Sequence, residues 1–308
     1  MPDLIAAATS QTIPGVRRTV ARDLAKLATV FAACVALTLA LGVFTRALAA
    51  PLETLLQCFA LLPLLGVVAA HRGTRVAAAA AAAAVLLVWC STGSMLSRLP
   101  NPSWVVQFPV SGKLTQIAIC FLVVAWIGSS QWHRYGLRLS QDAGTGRRAT
   151  MLAVALPITL FAGVLVLLVL GVVDKTTIIG LSYRAPFWEG LFFQFVLVGI
   201  AEELWFRGML QSYLDQLLPG HVRVWGANLG WGFVLTALMF VLVHVIEART
   251  GPVRILTDTS SAIMVFPFAV IAGYLRSYTG SLLLPIVLHG LFDGLGDVVL
   301  PALAVRLF

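Results

Sequence analysis

The stretch LFFQFVLVGIAEELWFRG, residues 191–208, places two adjacent glutamates at the end of an apolar run. Burying a charge at bilayer depth is costly, so an ionisable residue inside an apolar helix indicates function. Glu203 and Arg207 are four residues apart and can pair on one helix face. Glu202 points about 100° away around the helix. A helix-locking salt bridge therefore explains Glu203 and Arg207 but leaves Glu202 to be explained.

The whole chain has the composition of a polytopic membrane protein. Of its 308 residues, 59% are hydrophobic and 11% are charged, and the mean hydropathy is +0.94. Soluble domains carry about 25% charged residues, so this composition excludes a soluble enzyme, a nucleic-acid module, a disordered scaffold and a disulfide-stapled secreted domain. The net charge of +8 fits basic loops that set membrane orientation. The cysteines lack metal-ligand spacing and are interpreted as buried apolar residues: Cys34, Cys58, Cys90 and Cys120.

We predict an all-α bundle of about eight or nine transmembrane helices, because one crossing takes roughly 20 apolar residues. The chain has a basic leader before the first apolar run and a basic segment at 130–149, and these favour an amino terminus in the cytoplasm. We expect the protein to lie in a cell inner membrane. We expect the first run to be a transmembrane helix and not a cleaved signal peptide. The predicted spans are 27–45, 54–70, 76–95, 114–129, 150–173, 187–213, 225–246, 261–276 and 281–305.

The polar segment 130–149 is the best internal boundary. We predict that residues 1–149 form accessory transmembrane helices with a basic cytoplasmic loop. Residues 150–308 are predicted to form the catalytic core, because the second half holds several ionisable residues inside its spans and the first half holds almost none.

Two more groups of ionisable residues lie in the second half. Phe240-Val-Leu-Val-His244 places a histidine late in its span, and a lone histidine on an apolar helix is more often a core residue than a catalyst. His289-Gly-Leu-Phe-Asp293 places His289 and Asp293 on one helix face. That spacing fits metal ligation, an oriented imidazole or a local hydrogen bond. Asp297, a turn further, is either a third member or a helix-end residue.

Helix geometry tests whether these groups can meet. Glu202 and His244 each lie roughly 25–30 Å of helix from the turn between their spans, so an antiparallel pair brings them to similar depth. His289 lies only about 12 Å after the turn at Ser281. Helix tilt, a kink or a re-entrant segment is needed to bring His289 to the same depth as Glu202 and His244.

Together and in this order, the motifs resemble the CPBP family, which comprises CAAX prenyl proteases of the Ras-converting type and bacterial relatives linked to bacteriocin processing and self-immunity. The resemblance covers roughly residues 187–300, and residues 1–149 show none that we recognise. The family pattern is EExxxR, FxxxH, and HxxxN or HxxxD. The chain has Glu202-Glu203-x-x-x-Arg207, Phe240-x-x-x-His244 and His289-x-x-x-Asp293.

The resemblance implies an intramembrane endopeptidase of the glutamate-dependent kind. It implies that Glu202 is the general base that activates water and that His244 holds this water. It also implies that His289 with Asp293 stabilises the oxyanion. Three residues would shape the site around them: Glu203, Arg207 and Phe240.

Asp293 departs from the eukaryotic pattern, which usually has asparagine there. An ionised aspartate would repel an oxyanion, so Asp293 either stays protonated or orients His289, and we favour orientation. Two histidines and a glutamate could also ligate zinc. We prefer the glutamate–water mechanism, which needs no cofactor.

Three functions compete at this point. The first is a protease that cuts a membrane-tethered peptide or protein near the membrane surface. The second is a non-catalytic immunity or binding protein of the same family. The third, a proton-coupled transporter, is disfavoured because the first half shows no clear repeat of the motifs. The expected partners are the lipid bilayer and the substrate, with no nucleic acid; the oligomeric state is left open.

Overall fold

The computed structural model describes residues 100–106, 108–128, 132–138, 143–174, 176, 178, 186–217, 220–249, 254–257 and 259–307. These residues are mostly helical, which confirms the predicted all-α class. The predicted spans 27–45, 54–70 and 76–95 lie outside the described residues.

Within the described residues, six long helices form a bundle, and a short antiparallel hairpin stands on each side of the fourth. Each of the six predicted spans in this part of the chain overlaps one of these helices. The predicted span 225–246 begins too early, because Ala227–Gly230 pairs as a β-strand and the helix starts only at Trp231. The elements are α1 (Val110–Gly128), α2 (Ala143–Val169), α3 (187–217), β1 (His221–Val224), β2 (Ala227–Gly230), α4 (Trp231–Val245), β3 (Ile246–Arg249), β4 (Arg254–Thr257), α5 (Thr259–Thr279) and α6 (283–307).

Two helices of the described part are long and apolar enough to cross a membrane, judged by length and composition: Gly146–Val169 and Leu283–Arg306. Shorter apolar helices occur at Val110–Leu122, Trp231–His244 and Ile263–Thr279. The total of about eight or nine spans stays a prediction.

The main hydrophobic core surrounds the second half of α3, where α4 and α5 pack against it. The β3–β4 hairpin joins α4 to α5, and these two helices pack closely side by side. The largest fully buried side chains cluster there: Leu204, Trp205, Phe206, Arg207, Met209, Leu210, Leu214 and Phe240.

Helix α3 runs without a break but is α-helical only in parts. Phe192–Val198 and Leu204–Gln211 have π-helical turns, and the α-helical piece Gly199–Glu203 lies between them. π-Helical turns inside an α-helix are found frequently at functional sites. Glu202 and Glu203 thus lie between two irregular segments.

Helices α3 and α6 approach each other closely, because both carry glycine at the crossing. A Cβ on Gly199 would lie 3.2 Å from the Ile286 oxygen, and a Cβ on Gly290 would overlap the Phe195 oxygen. Small residues allow such close helix crossings in membrane proteins. The crossing brings His289, the residue just before Gly290 on α6, against α3.

The turn between α5 and α6 lies beside the middle of α3. A Cβ on Gly208 of α3 would lie 3.0 Å from Cδ1 of Leu282. The segment 132–138 packs over this turn, and the Leu282 N–H donates to the Gly136 oxygen at 3.0 Å. Because the turn is already deep in the bundle, His289 needs only about two helical turns to reach the level of Glu202.

Arg138 closes the carboxyl end of α5. Its side chain donates to the carbonyl oxygens of Thr279 at 2.8 Å and Gly280 at 3.1 Å. Carbonyls in the last turn of a helix have no partner within the helix, and a basic side chain satisfies them. Gly280 has a φ of 65°, a left-handed conformation that glycine adopts without strain. This cap allows the chain to turn within the bundle.

We predict that Gly290→Ala destabilises the protein while Gly296→Ala does not. The added methyl at 290 would meet the backbone of α3, and overpacking of this kind costs about 1–3 kcal/mol. At Gly296, on the same helix, a Cβ meets nothing within 4 Å. The measurement is thermal unfolding of the purified proteins in detergent. Equal unfolding temperatures for the two variants would contradict the close crossing.

Candidate active site

A buried chain of charged groups links α3 to α6. Arg207 Nη1 donates to Glu203 Oε1 at 2.9 Å, and His289 Nδ1 lies 2.7 Å from the same oxygen. The side chains of Arg207 and Glu203 are 0% exposed and that of His289 is 4% exposed. Removing one partner of such a pair typically costs about 3–5 kcal/mol. The structure thus contains the Glu203–Arg207 pair that the spacing predicts, and adds His289 to it.

Aromatic rings hold this chain in place. The Arg207 guanidinium lies over the Phe240 ring, 4.1 Å from its centroid, in a favourable cation–π arrangement. The Phe240 and His244 ring centroids are 4.3 Å apart. Phe268 of α5 meets the His289 ring edge to face at 4.8 Å. Phe240 therefore contacts both the ion pair and the first histidine.

The spacing of Phe240 and His244 has a direct structural reason. His244 Nδ1 lies 2.7 Å from the Phe240 carbonyl oxygen. Because a carbonyl can only accept, Nδ1 carries the proton of this bond. The other nitrogen, Nε2, then faces Glu202 Oε2 at 3.6 Å. The one-turn spacing thus fixes the imidazole and aims Nε2 at the glutamate.

The two carboxylate oxygens of Glu202 have different surroundings. Oε1 accepts a hydrogen bond from Lys113 Nζ at 3.3 Å. Oε2 is buried and accepts no hydrogen bond from the described residues. It lies 3.6 Å from His244 Nε2 and 3.9 Å from His289 Nε2. Three polar atoms from α3, α4 and α6 therefore converge on one point.

His289 contacts carboxylates at both ring nitrogens. Its Nε2 lies 3.1 Å from Asp293 Oδ2, in addition to the Glu203 contact of Nδ1. The sequence favours an orienting role for Asp293, and the structure places Glu203 against the other nitrogen of the same ring. Asp297 accepts a hydrogen bond from Gln194 at 3.4 Å, which ties α6 to α3 one turn beyond Asp293.

The charges of the group balance when His289 is doubly protonated. The three carboxylates Glu202, Glu203 and Asp293 face two permanent cations. An imidazolium supplies the third positive charge, and it can donate from both nitrogens to the carboxylates it contacts. A buried group of this kind is stabilised when its charges are paired and hydrogen-bonded.

Lys113 and Phe268 are site residues that the sequence reasoning missed. Lys113 precedes the predicted span 114–129 by one residue, a position typical of a flanking loop residue. It also belongs to the half predicted to be accessory, yet it contacts Glu202. The domain boundary at 149 stays a prediction.

Among the residues that the structure describes, no three or more His, Cys, Asp or Glu side chains form a group that could hold a metal ion. The choice between a glutamate–water mechanism and a zinc mechanism stays a prediction.

Comparison with known proteins gives one match. A family described as Type II CAAX prenyl endopeptidase Rce1-like matches residues 184–295, which hold all seven predicted site residues. No curated protein matches the chain, and no solved structure does. The match confirms the resemblance that the three motifs indicate. Residues 184–295, which carry the three motifs, are therefore similar to the Rce1-like type II CAAX prenyl endopeptidases.

Proposed function

We propose that the protein is an endopeptidase in which Glu202 activates water to cleave a membrane-tethered peptide or protein near the membrane surface. The observation that supports this most is the convergence of Glu202 Oε2 with the Nε2 atoms of His244 and His289. We further propose that the protein lies in a cell inner membrane with its amino terminus in the cytoplasm, as the basic loops favour.

The atoms facing each other are suited to a water nucleophile. Polar atoms 3.6–3.9 Å apart are too distant for a direct hydrogen bond and are commonly bridged by water. Glu202 Oε2 is an acceptor, and a neutral His244 presents a lone pair at Nε2 because its proton is on Nδ1. A water molecule can donate one hydrogen to each. Its own lone pair is then free to attack a carbonyl carbon.

The reaction follows from these roles. The water oxygen bonds to the scissile carbonyl carbon while Glu202 takes one of its protons, and the carbonyl oxygen becomes an oxyanion. The positive charge of His289, whose Nε2–H is held by Asp293 Oδ2, stabilises that oxyanion. The proton on Glu202 then passes to the leaving nitrogen, the C–N bond breaks, and the products are a carboxylic acid, which keeps the second proton of the water, and an amine. General base catalysis contributes about 10²–10⁴-fold, and one oxyanion donor about 10²–10³-fold.

The exposure of the side chains indicates where substrate enters. His244 is 33% and Asp293 21% exposed, whereas the Glu203–Arg207 pair beneath them is fully buried. The site is therefore closed where the Glu203–Arg207 pair lies and accessible where His244 and Asp293 lie. A membrane-tethered chain would reach Glu202 from that side, across His244 and Asp293.

We predict that Glu202→Gln abolishes proteolysis, because an amide cannot take a proton from water. Membranes that contain the wild type or the variant are compared by quantitative mass spectrometry of peptide termini. New termini close to membrane anchors are expected with the wild type and reduced about 10²–10⁴-fold with the variant.

The control for this experiment is Asp174→Asn, which neutralises an exposed carboxylate outside the site and should leave the termini unchanged. If wild-type and Glu202→Gln membranes give the same peptide termini while the variant still complements a deletion, the proposal that the protein is a protease is wrong. The alternative, a non-catalytic immunity or binding protein, would then be supported.

We predict that removing divalent metal leaves the cleavage rate unchanged, since the proposed nucleophile is activated by a carboxylate alone. Purified protein is treated with a zinc chelator and assayed on the substrate identified above. Loss of activity that returns on adding Zn²⁺ would instead support the zinc mechanism.

We predict that Asp293→Asn keeps at least about a tenth of the activity, whereas Asp293→Leu loses about 10²-fold. The amide oxygen of asparagine still accepts the Nε2–H of His289, but leucine leaves the imidazole without this partner, and small misplacements cost rates of this size. The measurement is kcat on the same substrate. Equal losses for Asn and Leu would show that the negative charge, and not the hydrogen bond, is what matters.

A further inference from the structure

We propose that Lys113 is a positioning residue for the reaction: it holds Oε1 of Glu202 so that Oε2 faces the two histidines. The inference rests on the proposed function. Lys113 lies on α1, outside the matched residues 184–295. Its Nζ is 3.3 Å from Glu202 Oε1, and its side chain is 18% exposed.

The packing of α1 on α3 fixes the position of Lys113 relative to Glu202. Lys113 contacts Glu202, and Cys120 contacts Met209 with the two sulfur atoms 3.7 Å apart. Both pairs have the same sequence separation of 89, so the two helices run parallel. Seven residues are about two turns, so both contacts lie on one face of each helix. Lys113 is therefore held in register with Glu202 by a second contact deeper in the bundle.

The chain before α1 is anchored to the start of α3. Glu189 accepts the backbone N–H groups of Val106 and Phe108, both at 2.9 Å. The Phe108 ring stacks on Phe193 with centroids 4.6 Å apart. A buried carboxylate that accepts two backbone N–H groups makes strong, charge-assisted hydrogen bonds. This anchor fixes the end of α1 that carries Lys113.

The first turn of α1 is closed by Asn101. Its Oδ1 accepts the Ser111 N–H at 3.1 Å, and its Nδ2 donates to the Phe108 oxygen at 2.8 Å. Satisfying a free N–H of the first turn in this way stabilises a helix start. Lys113 is thus the fourth residue of a capped and anchored helix.

A cation at this place has a consequence for catalysis. A carboxylate with both oxygens free can rotate, and either oxygen can point away from the water. Pinning Oε1 with an ammonium group fixes the direction of Oε2 while leaving its lone pairs available. Arg207, which pairs with Glu203, does not fix the orientation of Glu202, because adjacent residues point in different directions around the helix.

The test replaces the cation and then restores it chemically. Lys113→Met keeps the side-chain length without charge, and Lys113→Cys is alkylated with 2-bromoethylamine to rebuild a side chain of lysine length that ends in an ammonium group. Kinetics are measured in detergent on the substrate whose cleavage distinguishes the wild type from Glu202→Gln. Controls are the wild type treated with the same reagent, Lys113→Cys treated with neutral 2-bromoethanol, and Arg306→Met, which removes an exposed cation remote from the site.

We expect Lys113→Met to lower kcat about 10²-fold, the size of effect that misplacing a catalytic group produces, with KM within about threefold of wild type. Bromoethylamine should raise kcat of Lys113→Cys at least tenfold, and bromoethanol should not. Wild-type kcat in Lys113→Met overturns the inference. So does a loss that the restored ammonium fails to repair, because it would show that Lys113 acts only in packing. Equal termini for wild type and Glu202→Gln would instead contradict the proposed function and, with it, this inference.

Discussion

One carboxylate oxygen, Oε1 of Glu203, determines most of the arrangement of the bundle. It accepts from Arg207 on its own helix and from His289 on α6. Arg207 in turn lies over Phe240 of α4 and donates to the carbonyl oxygen of Ala269 on α5 at 3.4 Å. Fully buried charges are tolerated only when each has its partner. Four helices must therefore meet at this point, and the catalytic geometry follows from their meeting.

Because the two glutamates are adjacent, one can belong to the buried ion pair while the other serves as the proposed base. Consecutive residues on a helix point about 100° apart. Glu203 consequently faces the closed interior, where its Oε1 accepts from both Arg207 and His289. Glu202 faces the more accessible side, where its Oε2 lies 3.6 Å and 3.9 Å from the Nε2 atoms of the two histidines. Preorganised catalysis requires that the reacting group be held by rigid neighbours, and the buried Glu203–Arg207 pair would hold Glu202 in this way. In the proposed mechanism, the EExxxR spacing therefore places a structural and a reactive carboxylate next to each other.

Local spacing made several parts of the site predictable. The Glu203–Arg207 pair follows from one-turn geometry, as does the sharing of a face by His289 and Asp293. The position of His289 relative to Glu202 could not be derived. It depends on a turn seated beside Gly208 and on two close-approach glycines, features that appear only when helices are packed. Lys113 was missed because a single cation at the start of an apolar segment is ordinarily a flanking loop residue.

The most direct test of the central claim, direct attack by water activated on Glu202, is a single turnover in H₂¹⁸O followed by mass analysis. The account predicts one ¹⁸O atom in the new carboxyl terminus of the product and none in the enzyme peptide that contains Glu202. An ¹⁸O atom in the Glu202 carboxyl group would contradict it, because that label arises only when Glu202 itself forms a covalent acyl intermediate that water then cleaves.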